Sequence, residues 1–249
     1  MNFLITGATS GLGYCVFKEL SKESNNKIFI IAKNKDKLDK IKSEHKNVNI
    51  YQLDLNEIQK TEEITNKIAE DSKNKIDVLI CNAGRGSFGS VTDIPLKDYL
   101  EDINVNFISH LIIIKKVYQL MIKNDLGHII NISSGTAIFG FKNTSSYSAS
   151  KSSMQILIES MYLENLKNNV FPKNIFPGLI NSNFDQKNKF YGKIEGVPLI
   201  KKKDVDVIAK KIIKNLFSKK LNIFCQPSPF LAFLIKVFPL IEKIRKSIF

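Results

Sequence analysis

Two residues four positions apart, Tyr147 and Lys151 in Tyr147-Ser148-Ala149-Ser150-Lys151, carry the most specific chemistry in this chain. That spacing puts both on one face of a helix. An ammonium one turn from a phenol favours the phenolate and draws a tyrosine pKa down from about 10 toward working pH. Tyr147 is thereby a candidate general acid and base. Ser134, in Asn131-Ile132-Ser133-Ser134, ends an apolar stretch where its hydroxyl can hold a substrate carbonyl oxygen. A Tyr–Lys pair alone is also a common surface arrangement, so the chemistry depends on what positions it.

A second cluster is rich in glycine. Thr6-Gly7-Ala8-Thr9-Ser10-Gly11-Leu12-Gly13 follows a short apolar run and opens a helical pattern. Gly7 suits a tight turn, Gly11 lets backbone approach a pyrophosphate, and Gly13 permits close helix packing. The helix N-terminus then offers N–H groups and partial positive charge to phosphates. The next apolar run ends Ile31-Ala32-Lys33-Asn34. An NAD site usually has an acidic side chain here for the ribose 2′-hydroxyl. Ala32 removes it, and Lys33 can neutralise a 2′-phosphate, with Thr9 or Ser10 as further donors. NADP(H) is therefore expected over NAD(H); the alternative for Lys33 is an ordinary solvated lysine. Asp54 ends the third apolar run and can accept from an adenine amino group, or cap a helix. Leu12 and Leu55 complete this cofactor-lining set.

The elements that must hold these residues alternate. Strands are predicted at Asn2–Ile5, Lys27–Ala32, Val48–Leu53, Ile76–Cys81, His128–Ile132, Val170–Phe176 and Leu221–Cys225, with helices starting near Gly11, Lys35, Glu57, Leu96, Ser148 and Asp204. Pro95 suits the first turn of the fourth helix. Runs such as Val78-Leu79-Ile80 read as strands buried on both faces, as in a parallel sheet. The expected fold is α/β, a doubly wound (Rossmann) and mostly parallel seven-stranded sheet. Pro172 is expected to mark the start of the sixth strand, with pairing from Lys173, because proline cannot donate to an interior ladder. One domain, residues 1–225, is expected to carry a C-terminal apolar and basic appendage, residues 226–249.

In order and spacing these motifs resemble the short-chain dehydrogenase/reductase family over roughly residues 1–225. Its TGxxxGxG reads Thr6 to Gly13, its NAG reads Asn82-Ala83-Gly84, its YxxxK reads Tyr147 and Lys151, and its NxxPG reads Asn174-Ile175-Phe176-Pro177-Gly178. The family asparagine falls at Asn106, fifteen residues before Met121, and its serine at Ser134, thirteen before Tyr147. The resemblance implies hydride transfer between a nicotinamide and a substrate carbon, with Tyr147 passing the proton and Ser134 stabilising the oxygen. It further implies that Lys151 binds the nicotinamide ribose, that Asn106 holds a proton-relay water, and that Asn82, Ala83, Gly84, Pro177, Gly178 and Ser182 line the cofactor. Family members are often dimers or tetramers. The chain lacks the glycine-rich ending of many bacterial reductases and is similar in its ending to the hydroxysteroid, retinol and keto-sphingoid reductase branch, where lipophilic substrates are common.

The formal charge of +13 does not point to nucleic acid, because only Arg85 and Arg245 are arginines among 37 basic residues, and nucleic-acid readers favour arginine forks. From Lys201 onward twelve basic residues face three acidic ones, so most of the excess is C-terminal. There the apolar residues Phe230 to Ile241 stand with Lys236, Lys243, Arg245 and Lys246, and the tail either covers a pocket or interface or lies on an anionic membrane surface. Cys15, Cys81 and Cys225 form no CxxC and the histidines are scattered, so no metal site is expected. Free thiols and the lack of a signal-like N-terminus suggest a cytoplasmic protein, membrane-associated if the tail binds lipid. Phe88, Phe139, Phe141, Phe184, Phe190 and Tyr191 fall on loops at the predicted catalytic edge. The expected function is an NADP(H)-dependent oxidoreductase of a lipophilic carbonyl or secondary alcohol; the alternative is a non-catalytic NADP(H)-sensing or membrane-surface protein on the same fold.

Overall fold

β1 (Asn2–Thr6), α1 (Gly11–Ser21), β2 (Lys27–Ala32), α2 (Lys35–Glu44), β3 (Val48–Gln52), α3 (Ile58–Asp71) and β4 (Val78–Cys81) form the first half of the chain. The short β5 (Ser87–Phe88) precedes α4 (Leu96–Ile103), a π-helical turn (Asn104–Ile108) and α5 (Ser109–Lys123). Then come β6 (Gly127–Ile132), α6 (Ser145–Glu164), β7 (Val170–Phe176), β8 (Ile180–Asn181), β9 (Lys189–Phe190), β10 (Lys203–Asp204), α7 (Val205–Lys214) and β11 (Asn222–Phe224). This computed structural model describes residues 1–164, 168–181, 184, 188–192 and 202–226. Ser182 and the apolar tail from Pro227 lie outside the described residues.

Seven strands form one parallel sheet in the order β11-β7-β6-β4-β1-β2-β3. Strand residues are apolar on both faces because helices cover both. Phe3 and Ile5 pack with Val16, Phe17, Leu38, Ile208 and Ile212 from α1, α2 and α7. Leu4 faces the other way, with Ile68, Ile113, Val117 and Ile158 from α3, α5 and α6. Strand order reverses between β1 and β4, and the crevice beyond their carboxyl ends is where such sheets gather ligands. The continuous helical stretch from Leu96 to Lys123 is apolar enough to cross a membrane by composition; here Ile113, Ile114, Val117 and Met121 bury against the sheet instead.

Two proline expectations need correction. Pro172 lies inside β7 and is paired, Ile129 to Pro172, with Val170 and Phe171 already in register. Asn174 donates to Leu221 on the β11 side, so Pro172, two residues earlier, turns its missing N–H the same way. β11 begins only opposite Asn174, so no ladder bond is lost. Pro95 stands at the N-cap of α4 rather than in its first turn, with ψ 142° and its carbonyl accepting from Asp98.

Candidate active site

The glycine turn is built by close approach. Gly7 has φ +72° and lies against Ala83, whose Cα would be 2.8 Å from a Cβ at that position. Gly11 opens α1 at φ +56°. A Cβ on Gly13 would stand 2.3 Å from Asn82 Nδ2 and 2.5 Å from the Gly7 carbonyl, so only glycine lets α1 pack on the β4 exit. Asn82 Nδ2 donates to the carbonyls of Thr6 (3.1 Å) and Gly7 (3.2 Å). Leu12 is buried in α1, while Thr9 and Ser10 are half-buried at its entrance. The Ser10 side chain does not cap α1, and no acidic residue occupies the first turn, so that N-terminus suits a phosphate.

Thr6, which the sequence shows only as the first residue of the glycine motif, is the hub of this region. Its Oγ1 accepts from the backbone N–H of Asn82 and of Ala83, both at 3.0 Å. With both lone pairs used, its own hydrogen goes to His110 Nε2, 2.9 Å away. Nε2 is therefore bare and Nδ1 carries the ring proton, buried without a hydrogen-bond partner among the described residues. Burial, helped by the Lys151 cation, pushes His110 down to about 3 and keeps it neutral.

The predicted catalytic residues converge. Ser134 Oγ accepts from the Thr136 amide (3.3 Å) and hydroxyl (3.1 Å) and is hydrogen-bonded to the Tyr147 hydroxyl. Lys151 is buried, and its Nζ donates to the Ile132 carbonyl at 2.9 Å. Asn106, on the π turn, donates through Nδ2 to the Arg85 carbonyl (2.8 Å) and to Ser150 Oγ (2.8 Å), and accepts from the Arg85 amide (3.0 Å). A Cβ on Gly84 would lie 3.2 Å from Asn106 Oδ1 and 3.4 Å from Lys151 Nζ, which accounts for the third residue of Asn82-Ala83-Gly84.

The expected depression of the Tyr147 pKa is not what this geometry produces. Burial pushes the phenol up to about 12, with Asp102 adding to the rise and the Ser134 hydrogen bond opposing it. The Lys151 ammonium donates to the Ile132 carbonyl and lies 6.0 Å from the Tyr147 ring centroid. Burial lowers Lys151 itself to about 8. Near neutral pH the pair is a phenol beside an ammonium, a state suited to giving a proton away.

The adenosine side departs from expectation too. Lys33 and Asp54, predicted as separate cofactor contacts, are salt-bridged to each other at 2.6 Å, with Lys33 mostly exposed. Burial opposes ionisation of Asp54, but Lys33 and the Asn56 amide hold its pKa below the ordinary carboxylate value. Asp54 does not cap α3, where Glu57 takes that place. Leu55 is buried beside it, its carbonyl accepting from Ser109. Beyond β7, Gly178 has φ +77°, and Gln226 Nε2 donates to the carbonyls of Pro177 (2.9 Å) and Leu179 (2.8 Å). Gln226 thus fixes the turn that the sequence marked only by Pro177-Gly178.

Three of the six loop aromatics gather at the tyrosine. Phe88 lies 5.4 Å from the Tyr147 ring and stacks on Phe190 at 5.4 Å, and Phe184 is 5.8 Å from Tyr147. Phe139 and Phe141 are exposed, as is the outer face of Phe190, while Tyr191 donates its hydroxyl to Asp98. Among the described residues no three His, Cys, Asp or Glu converge on a metal position.

Residues 2–190 match the family model described as short chain dehydrogenase. The chain belongs to the short-chain dehydrogenase family. A 3-oxoacyl-[acyl-carrier-protein] reductase of Rickettsia prowazekii is 30% identical over 184 residues, 74% of each chain. Among solved structures, a short-chain dehydrogenase from Sphingobium yanoikuyae in complex with NADPH superposes with TM-score 0.83 at 20% identity, covering 98% of this chain and 94% of that one. ElxO with NADP bound superposes with TM-score 0.76 at 25% identity, covering 90% and 96%. Within this short-chain dehydrogenase the sequence reading missed His110, Gln226 and the ion cluster around Arg85, each of which acts through a partner far along the chain, so no local motif announces it. Thr6 opens the glycine motif, but nothing local discloses its bonds to Asn82, Ala83 and His110.

Proposed function

We propose that this short-chain dehydrogenase is an NADP(H)-dependent reductase of apolar carbonyl compounds, catalysing the reverse oxidation of secondary alcohols as well. The Ser134–Tyr147 hydroxyl pair under the Phe88, Phe184 and Phe190 rings carries the reading. A nucleotide sensor has no use for a buried proton donor of this kind. In the proposed mechanism a substrate oxygen lies between the two hydroxyls, where Ser134 holds it by a hydrogen bond and Tyr147 Oη gives it a proton. Lys151 Nζ gives one of its three N–H groups to the Ile132 carbonyl; a remaining one would hold the cofactor ribose, and its charge would steady the phenolate left behind. Asn106, bonded to the Arg85 peptide, keeps the π turn in place for a relay water. Gly7, Gly11, Gly13 and the α1 N-terminus would cradle the pyrophosphate, and Asn82, Ala83 and Gly84 would line the cofactor. Bound NADPH supplies the hydride. The aromatic wall favours lipophilic substrates of the hydroxysteroid, retinol or keto-sphingoid kind.

The NADP- and NADPH-bound neighbours and the 3-oxoacyl reductase relative support cofactor and reaction class. The test is NADPH oxidation over a panel of ketones graded in size and polarity; no turnover with any apolar ketone would refute the reading. For the cofactor, a 2′-phosphate must draw Lys33 away from Asp54. Lys33→Ala is expected to weaken NADPH binding about tenfold, about 1.4 kcal/mol, and to leave NADH binding nearly unchanged. Equal losses for both cofactors in a titration would show that Lys33 does not read the phosphate.

The pH dependence follows from Lys151. Its cation is the useful form and its pKa is lowered to about 8, so charge is lost as pH rises through that value. kcat/KM for NADPH-dependent reduction is expected to be flat below pH about 7 and to fall above pH about 8, because this ratio reports the free enzyme. A profile level to pH about 10 would assign the required cation elsewhere.

A further inference from the structure

We infer that Asp98 is a positioning residue that docks β9, and with it the Phe190 ring, onto Phe88 beside the catalytic tyrosine, and so sets how tightly an apolar substrate is held. The kinetic arm rests on the reductase reading. β9 is two residues long, paired to β5 by the Lys189 amide to the Gly86 carbonyl (3.1 Å) and the Tyr191 amide to the Phe88 carbonyl (2.8 Å). A strand this short has little stability of its own. Two side chains flanking Phe190 converge on one carboxylate. Lys189 Nζ lies 2.5 Å from Asp98 Oδ1, and the Tyr191 hydroxyl donates to Oδ2. Asp98 is 3% exposed, so its charge needs partners.

Arg85 supplies the inner partner and ties the anchor to the catalytic centre. Its Nη2 meets Asp98 at 3.2 Å, its Nη1 meets Glu101, and its Nε meets Asp102 at 2.9 Å. Asp102, fully buried, accepts from Ser146 Oγ at 2.6 Å, one residue before Tyr147, and from the Ser87 amide at 2.8 Å. The Arg85 backbone is itself clasped by Asn106. One ionic cluster therefore spans β9, β5, α4 and the start of α6. Phe190 sits between the two residues that Asp98 holds, one face stacked on Phe88 and the other exposed. A Cβ on Gly86 would lie 2.8 Å from the Phe88 ring and 3.0 Å from Tyr147 Cδ2, so the wall closes directly on the catalytic ring.

The chain has no tryptophan, so Phe190→Trp gives a single indole in the wall, excited apart from the tyrosines at the red edge of absorption. In that background Lys189→Met with Tyr191→Phe changes only the exposed side of the anchor and leaves the core intact. Asp98→Ala removes the anchor itself, and Asp98→Asn keeps an acceptor without the charge. Red-shifted emission and lower anisotropy are expected for the double variant and Asp98→Ala, with Asp98→Asn between them and the parent. KM for a bulky apolar ketone is expected to rise about tenfold while kcat, and kcat/KM for a small ketone, stay within about twofold. Emission and KM equal to the parent in both the double variant and Asp98→Ala would overturn the inference. If the parent itself reduces no ketone, the reductase reading fails, and the emission still decides whether Asp98 anchors the strand.

Discussion

Tyr147→Phe is expected to lower ketone reduction by about 10²- to 10⁴-fold, the usual contribution of a positioned acid, with NADPH affinity essentially unchanged. The substitution removes one oxygen from a ring that packs between Phe88 and Phe184, so the aromatic wall keeps its volume. Ser134 loses one partner but keeps its bonds from the Thr136 amide and hydroxyl, which limits the stability cost to about 1 kcal/mol. What disappears is the proton donor. Burial holds the phenol near 12, so in the wild type it remains protonated across the assay range and its own titration does not limit reduction. Stopped-flow NADPH oxidation and a direct binding titration, run on the same preparation, separate the two effects. Turnover within a factor of about ten of wild type would move the proton source away from Tyr147. Ser134→Ala is the matched control: it leaves the acid in place and removes only the oxygen-holding hydroxyl, so its loss should be smaller.

Local pattern was enough for most of the scaffold and for the identity of the converging groups. Seven apolar runs separated by helical ones specify a parallel sheet because both faces must be covered, and Gly7, Gly11 and Gly13 report backbone constraints at fixed offsets. Electrostatic state was not legible, because it depends on burial and on distant partners. The i, i+4 spacing brings Lys151 near Tyr147, yet the ammonium donates to the Ile132 carbonyl and desolvation dominates the phenol. Lys33 and Asp54 illustrate the same gap. Each had a cofactor contact assigned to it, and neither position revealed that the two would neutralise each other across the β2 and β3 ends. Pro172 was misread because the ladder rule depends on which neighbour a strand residue faces, and β11 stops short of it.

Thr6→Val should cost more stability than the loss of one hydroxyl ordinarily does. The shapes nearly match, so the effect isolates the oxygen. Thr6 is fully buried, and its Oγ1 serves the amides of Asn82 and Ala83 and the Nε2 of His110. Valine leaves two N–H donors and one ring acceptor unpaired in a dry site. At about 1–3 kcal/mol for each buried orphan, partial relaxation still leaves an expected loss of about 3 kcal/mol, a large share of the ~5–15 kcal/mol typical of a domain. The functional cost follows from position. The freed segment is Asn82-Ala83-Gly84, which seats Gly13 and abuts Asn106 and Lys151, so NADPH affinity and turnover should fall together. Thr6→Ser retains the hydroxyl and should recover most of both, which a volume or propensity effect would not do. His110→Phe removes only the acceptor of the Thr6 hydrogen, leaving both amides paired, and should be milder than Thr6→Val. Urea unfolding followed by circular dichroism, with NADPH titration beside it, ranks the three variants. Thr6→Val as stable as Thr6→Ser would mean that the three-way bond at Oγ1 contributes nothing to holding the cofactor turn.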